Sequence, residues 1–564
     1  MKHLIKKAAA LTLALATLLT LAACGKSGGG ETSGNVDAEG RKTLTIGIQQ
    51  NINVSDYENN YFTQFMEERL NCNIEFVLFD SQNSNRKTQM NTMLAGGEKL
   101  PDILFYCFLS KEDQQYYGEE GVLVDLAPYF DNYETWDLAQ KYDWGTKMYE
   151  WQKDDPASID YVMNGMRTPQ GNMYAWPALT SSQYIDPSSQ MYINREWLDK
   201  LGLDMPTNWE ELIEVLRAFK SGDPNGNGVA DEIPMLGFGT HIYGNIPQWT
   251  VNSLGKTYWN ENGFFSVTDE GEVYLPYVQD GYREGLRILN SLMDEGLMNS
   301  LTFTVTKDEI KSILTPASGV PTVGVMGGHR TVHIDTESSD VFMQYEVLPP
   351  FEGSYVGKGV GGDNRYYYIT TDCEDFDLAA EFMFQFCGIP EVYYASRYGK
   401  EGVDWEYCTD YDTGLQLPYI LNDQAYNGIN SSTWSVAGPV YSYWDEMTPF
   451  QEGDPNPPSD VYDMDAHMLH IREDLTKYYG EAYKNNPVQV QYLPNFTQDE
   501  IDENGDSQAN LKEFFKEQRA LFAVGQLDIN DDAVWANYIK TAEGMGMNTL
   551  VENAQAAYDR TYNK

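Results

Sequence analysis

The chain is poor in histidine and cysteine, with six of each among 564 residues. No two cysteines form a CxxC pair, and no HExxH or similar metal-binding pattern occurs. Neither a zinc site nor a disulfide framework is therefore indicated. Cys72, Cys107, Cys373, Cys387 and Cys408 read mostly as buried apolar thiols. Positive charge is scarce too: 38 Lys and Arg face 85 Asp and Glu, a formal net charge of −47. Binding nucleic acid requires Lys and Arg against the phosphates, so no nucleic-acid partner is expected. An anionic lipid surface is disfavoured by the same charge. A glycoside hydrolase needs two placed carboxylates, and with so many acids any pair can be found, so a pair says nothing. With no nucleophile–histidine or metal-hydrolase pattern either, the chain is not read as an enzyme. Beyond the N-terminal segment, no apolar run reaches the roughly 20 residues that span a bilayer.

What is present begins at the N-terminus. Lys2, Lys6 and Lys7 precede an uncharged stretch from Ala8 to Ala23, too short for a span. The order basic, apolar, small-residue is that of a secretory signal. Leu21-Ala22-Ala23-Cys24 resembles a bacterial lipobox, which implies that residues 1–23 are removed and that Cys24 is acylated as the mature N-terminus. An ordinary signal peptide with an incidental cysteine is the alternative. Residues 24–41, rich in Gly, read as a flexible tether. The expected location is the extracellular face of the cell membrane, lipid-anchored, in a Gram-positive cell where a tether keeps the receptor concentrated.

Thr43–Ile48 alternates Leu44, Ile46 and Ile48 and predicts a strand. Phe62, Phe65, Met66 and Leu70 recur at helical spacing. Ile74–Phe79 predicts a strand, Arg86–Ala95 a helix stopped by Gly96-Gly97, and Asp102–Cys107 a third strand. This order predicts an α/β lobe with a mainly parallel sheet. Thr207 and Glu210 predict a capping box for a helix whose apolar face is Leu212, Val215, Leu216 and Phe219, with Gly222 at its end. Aromatics reach 13%, with 40 Tyr and 12 Trp. That supply suits stacking on the C–H faces of sugar rings as well as core packing.

The stretch "NVSDYENNYFTQFMEERLNCNIEF" followed by "MLAGGEKLPDIL", then Gly121–Asp131 and Gly171–Met235, resembles the family-1 bacterial extracellular solute-binding lipoproteins. These are the receptor subunits of carbohydrate ABC importers. The resemblance extends over essentially the whole mature chain and is most specific in Leu198–Pro234. It implies a periplasmic-binding-protein-like fold (type II): two α/β lobes joined by several crossings, with the ligand in the cleft. The crossings are placed near Trp176–Ser182, Glu346–Phe351 and Gly402–Tyr407. Lobe one is then 42–176 with 347–402, and lobe two 177–346 with 403–564. The implied partners are a carbohydrate, an oligosaccharide in view of the size and aromatic supply, and the two-part permease of an importer. The receptor is expected to be a monomer held to the membrane by its lipid. A peptide or other small solute, or a sensor or adhesin with the same fold, are the alternatives.

Asp223–Glu232 ("DPNGNGVADE") carries the sharpest chemistry. Asp223, Asn225 and Asn227 offer oxygens at alternate positions, Gly228 occupies the turn, the Val229 carbonyl follows, and Asp231 stands ninth. That spacing wraps a chain around Ca²⁺. The twelfth position is Pro234, so Glu232 is assigned the closing role, an arrangement the resembling sugar receptors share. A structural Ca²⁺ is expected; a metal-free Asx turn is the alternative.

Ligand contacts are expected from the loops after strands. Asn51 and Asn53 suit sugar hydroxyls or else cap the next helix. Tyr106 ends the third strand, Tyr174 and Trp176 stand on the first crossing, and His329 and Arg330 follow the strand Val323–Met326. Trp249, Trp259, Trp434, Tyr441 and Trp444 complete the set of candidates, each open to core packing instead.

Overall fold

The computed structural model describes residues 37, 40–146, 163–177, 189–238, 244–261, 263–314, 316–328, 339–357, 367–409, 416–422, 424–425, 428–435, 470–471, 474–485 and 494–562. Cys24, the signal segment, most of the tether, His329, Arg330, Tyr441 and Trp444 lie outside the described residues.

The first lobe begins with β1 (Lys42–Gln49), α1 (Tyr61–Leu70), β2 (Cys72–Phe79), α2 (Asn83–Gly96), β3 (Ile103–Phe105) and α3 (Lys111–Glu119). Side chains of β1 alternate toward the core, with Leu44, Ile46 and Ile48 almost fully buried. Asn60 caps α1 by accepting from the Phe62 amide. Gly97, at φ 71°, ends α2 in the left-handed conformation that glycine tolerates. β1 runs parallel to both β2 and β3, from Lys42 opposite Cys72 to Gln49 opposite Phe79. The third strand is shorter than its apolar run predicts, because Tyr106 (φ 59°) and Phe108 (φ 49°) turn the backbone left-handed just after it.

The second lobe contains β4 (Met191–Asn194), α4 (Arg195–Leu201), α5 (Trp209–Ser221), β5 (Ile233–Leu236), α6 (Ile246–Asn252), α7 (Asp280–Asp294), β6 (Val323–Gly327) and β7 (Tyr345–Val347). Its sheet order is β5-β6-β4-β7, with β5 and β6 parallel and β4 antiparallel to both neighbours. The apolar face predicted for α5 is buried. Its cap is shifted by one residue from the expected box. Asn208 accepts from the Glu211 amide, and Glu211, not Glu210, reaches back to the amide and hydroxyl of Thr207.

The chain then returns to the first sheet as β8 (Tyr367–Ile369), antiparallel to β3, giving the order β8-β3-β1-β2. Helices α8 (Phe376–Gly388) and α9 (Pro390–Tyr398) and the hairpin β9 (Trp405–Thr409) with β10 (Gln416–Ile420) follow. The last helices are α10 (Gln498–Asn504), α11 (Ser507–Ala523), α12 (Asp532–Gly544) and α13 (Met547–Tyr562). They join the second lobe, where Leu511, Phe515 and Phe522 share a core with Leu286 and Leu289 of α7. No helix among the described residues is long and apolar enough to cross a membrane.

Two expected lobe borders move. Val347, Leu348, Phe351 and Val356 pack in second-lobe cores, whereas Tyr367 packs in the first. Trp434 packs in the first-lobe core, whereas Ile471 and Leu475 pack in the second. Trp434 thus packs with the first lobe, beyond the border expected at Gly402–Tyr407. Hydrophobic partners distant in sequence decide these borders.

Candidate functional site

Both sheets present one end to the passages between lobes. In the first lobe the Trp176 amide bonds Tyr367 O at the end of β8 that faces Phe105, so the chain leaves and re-enters beside the C-terminal end of β3. In the second lobe the Gly328 amide bonds Gln190 O and the Leu348 amide bonds Met191 O, so entry and exit again share one sheet end. In the two-lobed fold these sheet ends are the candidate walls of the cleft.

The first-lobe wall is built from the segments following β1, β2 and β3. Asn51 accepts from the Asn53 amide through its own side chain, an Asx turn, and donates through Nδ2 to Ser435 O at 3.4 Å. Neither asparagine caps the next helix; Asn60 does. The Asn53 carbonyl accepts from the Asn430 amide at 2.9 Å, and Ser55 bonds back to Asn430 O. The last first-lobe segment thus docks on the loop after β1. Tyr106 and Phe108, both half-buried, meet edge to face with centroids 5.5 Å apart, and Tyr106 also packs on Tyr367.

The second-lobe wall contains a small cavity at the entry to β4. Ser189, Trp249, Asn252, Ser354, Tyr355 and Tyr479 line it. The Ser189 hydroxyl is buried with no hydrogen-bond partner in the structure. Trp249 lines the same cavity, and a hydroxyl group has the donor and acceptor to complete the serine.

The other aromatic candidates lie elsewhere. Trp176, Trp259 and Trp434 are fully buried. Trp176 packs among Phe130 and Phe384. Trp259 lies under the Arg519 guanidinium, itself paired with Glu261 at 2.6 Å. Trp434 meets Phe62, Phe76 and Phe105. None of the three offers a ring face to a solute here, which corrects their expected role. Tyr174 is also buried, with its ring over Gly118. Trp249 is likewise buried, packed edge to face on Trp209 and Phe351, and lines the small second-lobe cavity. Phe108, Ser189, Asn252 and Tyr355 were not expected. A half-buried aromatic in left-handed backbone, or a serine orphaned by tertiary packing, leaves no periodic signal.

The loop Asp223–Glu232 connects α5 to β5 and fits a hard cation. Asp223, at φ 46°, accepts from the Gly228 amide through both oxygens, and Gly226 and Gly228 are left-handed. Asn225 Oδ1 accepts from the Asn227 amide, and Asn227 Oδ1 from Val229. Asp231 receives both asparagine amide groups, at 3.0 to 3.1 Å. Glu232 Oε1 is buried with no partner. Burial, with Asp231 and Asp223 nearby, raises the Glu232 carboxyl above its ordinary range. An orphaned carboxylate oxygen beside a ring of side-chain oxygens is what an absent cation would satisfy. Among the described residues, no three His, Cys, Asp or Glu side chains converge at metal-ligating range, so the fit depends on asparagine and carbonyl oxygens. The loop enters β5 at Ile233, opposite Val323, whereas the cleft end of the sheet is at Gly327.

The thiols have no part in either site. Cys72, Cys107 and Cys387 are buried, and burial pushes the Cys107 thiol up to about 12.

Residues 51–287 match the family model for bacterial extracellular solute-binding proteins. A crystal structure of an extracellular solute-binding protein from Bifidobacterium longum subsp. infantis superposes with a TM-score of 0.70, over 93% of this chain and 99% of that one, at 21% identity. The fold is the two-lobed binding-protein fold. The fructooligosaccharide ABC transporter substrate-binding protein FusA of Streptococcus pneumoniae is 26% identical, over 97% of each chain. The structure of an EF-hand mutant of FusA in complex with fructo-nystose has a TM-score of 0.64 at 20% identity, covering 93% of this chain and 100% of that one.

Proposed function

We propose that this chain is the non-catalytic, membrane-anchored receptor of an ABC importer and captures a neutral oligosaccharide outside the cell. The observation that carries the reading is the two-lobed binding-protein fold, in which the buried, unpartnered Ser189 hydroxyl beside Trp249 and the Tyr106–Phe108 ring pair are the candidate solute contacts. The similarity to FusA over nearly the whole length supports the same chemistry. A net charge of −47 disfavours polyanionic glycans, which would be repelled at long range.

Capture proceeds by closure. A solute touching both walls stabilises the closed form by contacts the open form lacks. The closed receptor then docks on the permease. Cys24 supplies the lipid anchor and residues 24–41 the reach. Asp223, Asn225, Asn227, the Val229 carbonyl, Asp231 and Glu232 would hold Ca²⁺, which would stitch the end of α5 to the start of β5 at a distance from the solute. The EF-hand mentioned for FusA supports this.

The test is thermal unfolding of the chain from Gly25 onward against kestose, nystose, maltotriose and an oligogalacturonide. A ligand that binds only the native state raises the melting temperature. A rise with a neutral glycan is expected. A rise with the oligogalacturonide alone overturns the neutral-solute reading, and no rise with any sugar transfers the proposal to peptides or other solutes.

A further inference from the structure

Arg86, on α2, is 2% exposed. Its Nε donates to Cys107 O at 3.2 Å. One terminal nitrogen donates to Asp80 O at 2.8 Å and to Gln49 Oε1 at 3.2 Å, and the other to Asn83 Oδ1 at 3.1 Å. All these acceptors are neutral. Three of them follow or end the three neighbouring parallel strands: Gln49 in β1, Asp80 after β2 and Cys107 after β3. Burying a cation among neutral acceptors is costly, and a rigid five-donor fork is the side chain able to satisfy so many at once.

Cys107 stands between the two left-handed residues Tyr106 and Phe108. Non-glycine residues in that region are strained and persist only where their surroundings enforce them. Here the enforcement is visible. Arg86 holds the carbonyl between them, and its guanidinium lies 5.8 Å from the Phe108 ring centroid. Asn83 Nδ2 reaches Phe108 O at 3.4 Å, and Tyr368 Oη accepts from the Leu109 amide at 3.2 Å. Gln49, held by the same guanidinium, begins the loop carrying Asn51 and Asn53, and its carbonyl accepts from Tyr57 Oη.

We propose that Arg86 is the positioning residue of the first-lobe ligand wall: one guanidinium locks three strand ends and thereby sets the Tyr106 and Phe108 rings relative to the loop after β1. Arg86 does not touch solute, since its donors are directed to the protein. Phe108 is the ring it delivers. The solute part of the inference rests on the oligosaccharide reading; the positioning part does not.

The experiment has two arms on the full chain carrying Arg86→Gln, Arg86→Lys or Phe108→Ala. The first arm is amide hydrogen exchange without sugar. Arg86→Gln is expected to accelerate exchange about tenfold or more together in 49–53 and 106–109, and Gln49→Ala to accelerate it in 49–53 alone. Exchange unchanged in 106–109 overturns the positioning role. If Arg86→Gln does not fold, Arg86→Lys is read instead, because an ammonium cannot span the three strand ends. The second arm measures kestose and nystose dissociation constants by calorimetry at 20 °C, on variants whose circular dichroism spectra match wild type. Arg86→Lys and Phe108→Ala are each expected to weaken binding about tenfold or more. A lowered melting temperature with affinity unchanged within twofold reduces Arg86 to a structural residue and overturns the proposal. If wild type binds neither fructan, the affinity arm is run with whichever glycan raises the melting temperature; if none does, the oligosaccharide reading fails and the exchange arm still decides the positioning role.

Discussion

The indole Nε1 of Trp434 donates a 2.9 Å hydrogen bond to Thr63 Oγ1, across 371 residues of sequence. Thr63 passes the chain of hydrogen bonds on to Tyr57 O at 2.6 Å. The ring itself stands edge-on to Phe62, Phe76 and Phe105. A tryptophan expected to stack on solute instead fastens the segment around it into the first lobe.

Trp434→Ala is therefore expected to cost about 3–5 kcal/mol, the range for emptying a large aromatic site. Trp434→Phe keeps most of the packing but loses the hydrogen bond, and is expected to cost about 1–2 kcal/mol. Urea unfolding measures both. A loss under about 1 kcal/mol for the alanine variant would show that the ring is not an anchor.

Chelation is expected to lower the melting temperature, and Ca²⁺ to restore it better than Mg²⁺, which demands a tighter octahedral shell. Glu232→Gln removes the proposed closing ligand together with a buried charge. Its expected signature is a melting temperature that no longer responds to Ca²⁺, with no loss of stability in chelator. A full calcium response in Glu232→Gln would remove Glu232 from the ligand set.

Arg560 forks across both oxygens of Glu500, at 3.1 and 2.8 Å, and so ties α13 to α10. Burial works to raise the Glu500 carboxyl, but Arg560 and the Thr497 amide prevail and hold it below its ordinary value. A depressed native value adds stability above the unfolded value of about 4.3 and loses it as pH falls through the native one. Glu500→Gln is expected to cost about 1–3 kcal/mol at pH 7, and the gap to wild type should close as the solution is acidified below about pH 4. Urea midpoints at pH 7, 4 and 3 follow it; a gap undiminished at pH 3 would show that the carboxylate charge is not what stabilises the pair.

A Cβ on Gly118 would stand 2.1 Å from the Tyr174 ring. Gly118→Ala is expected to cost about 1–3 kcal/mol through overpacking. Adding Tyr174→Leu should cost less than the sum of the two single changes, since the pair shares one space. Strict additivity in a double-mutant cycle would show that the ring yields without strain.

Local periodicity made much of the fold legible. The alternation of Leu44, Ile46 and Ile48 and the stripe Leu212–Phe219 emerged as β1 and the buried face of α5. The cap of α5 came out one residue late because Thr207, Asn208, Glu210 and Glu211 offer two overlapping capping patterns, and only backbone geometry selects between them. The lobe borders at Val347 and Trp434 depend on contacts made hundreds of residues away. The loop Asp223–Glu232 was legible because its oxygens are consecutive. The candidate walls were not, because Trp249 and Trp259 are both buried in one core and only tertiary packing leaves a cavity beside the first. Arg86 looked like one more helical arginine, since its acceptors are carbonyls brought near it only by the sheet.

The Asn53–Asn430 pairing has a mechanical meaning. The loop after β1 and the segment around Asn430 are hydrogen-bonded backbone to backbone. Any shift of one drags the other. Displacement of the loop after β1 is thereby transmitted to the segment around Asn430 through backbone hydrogen bonds alone.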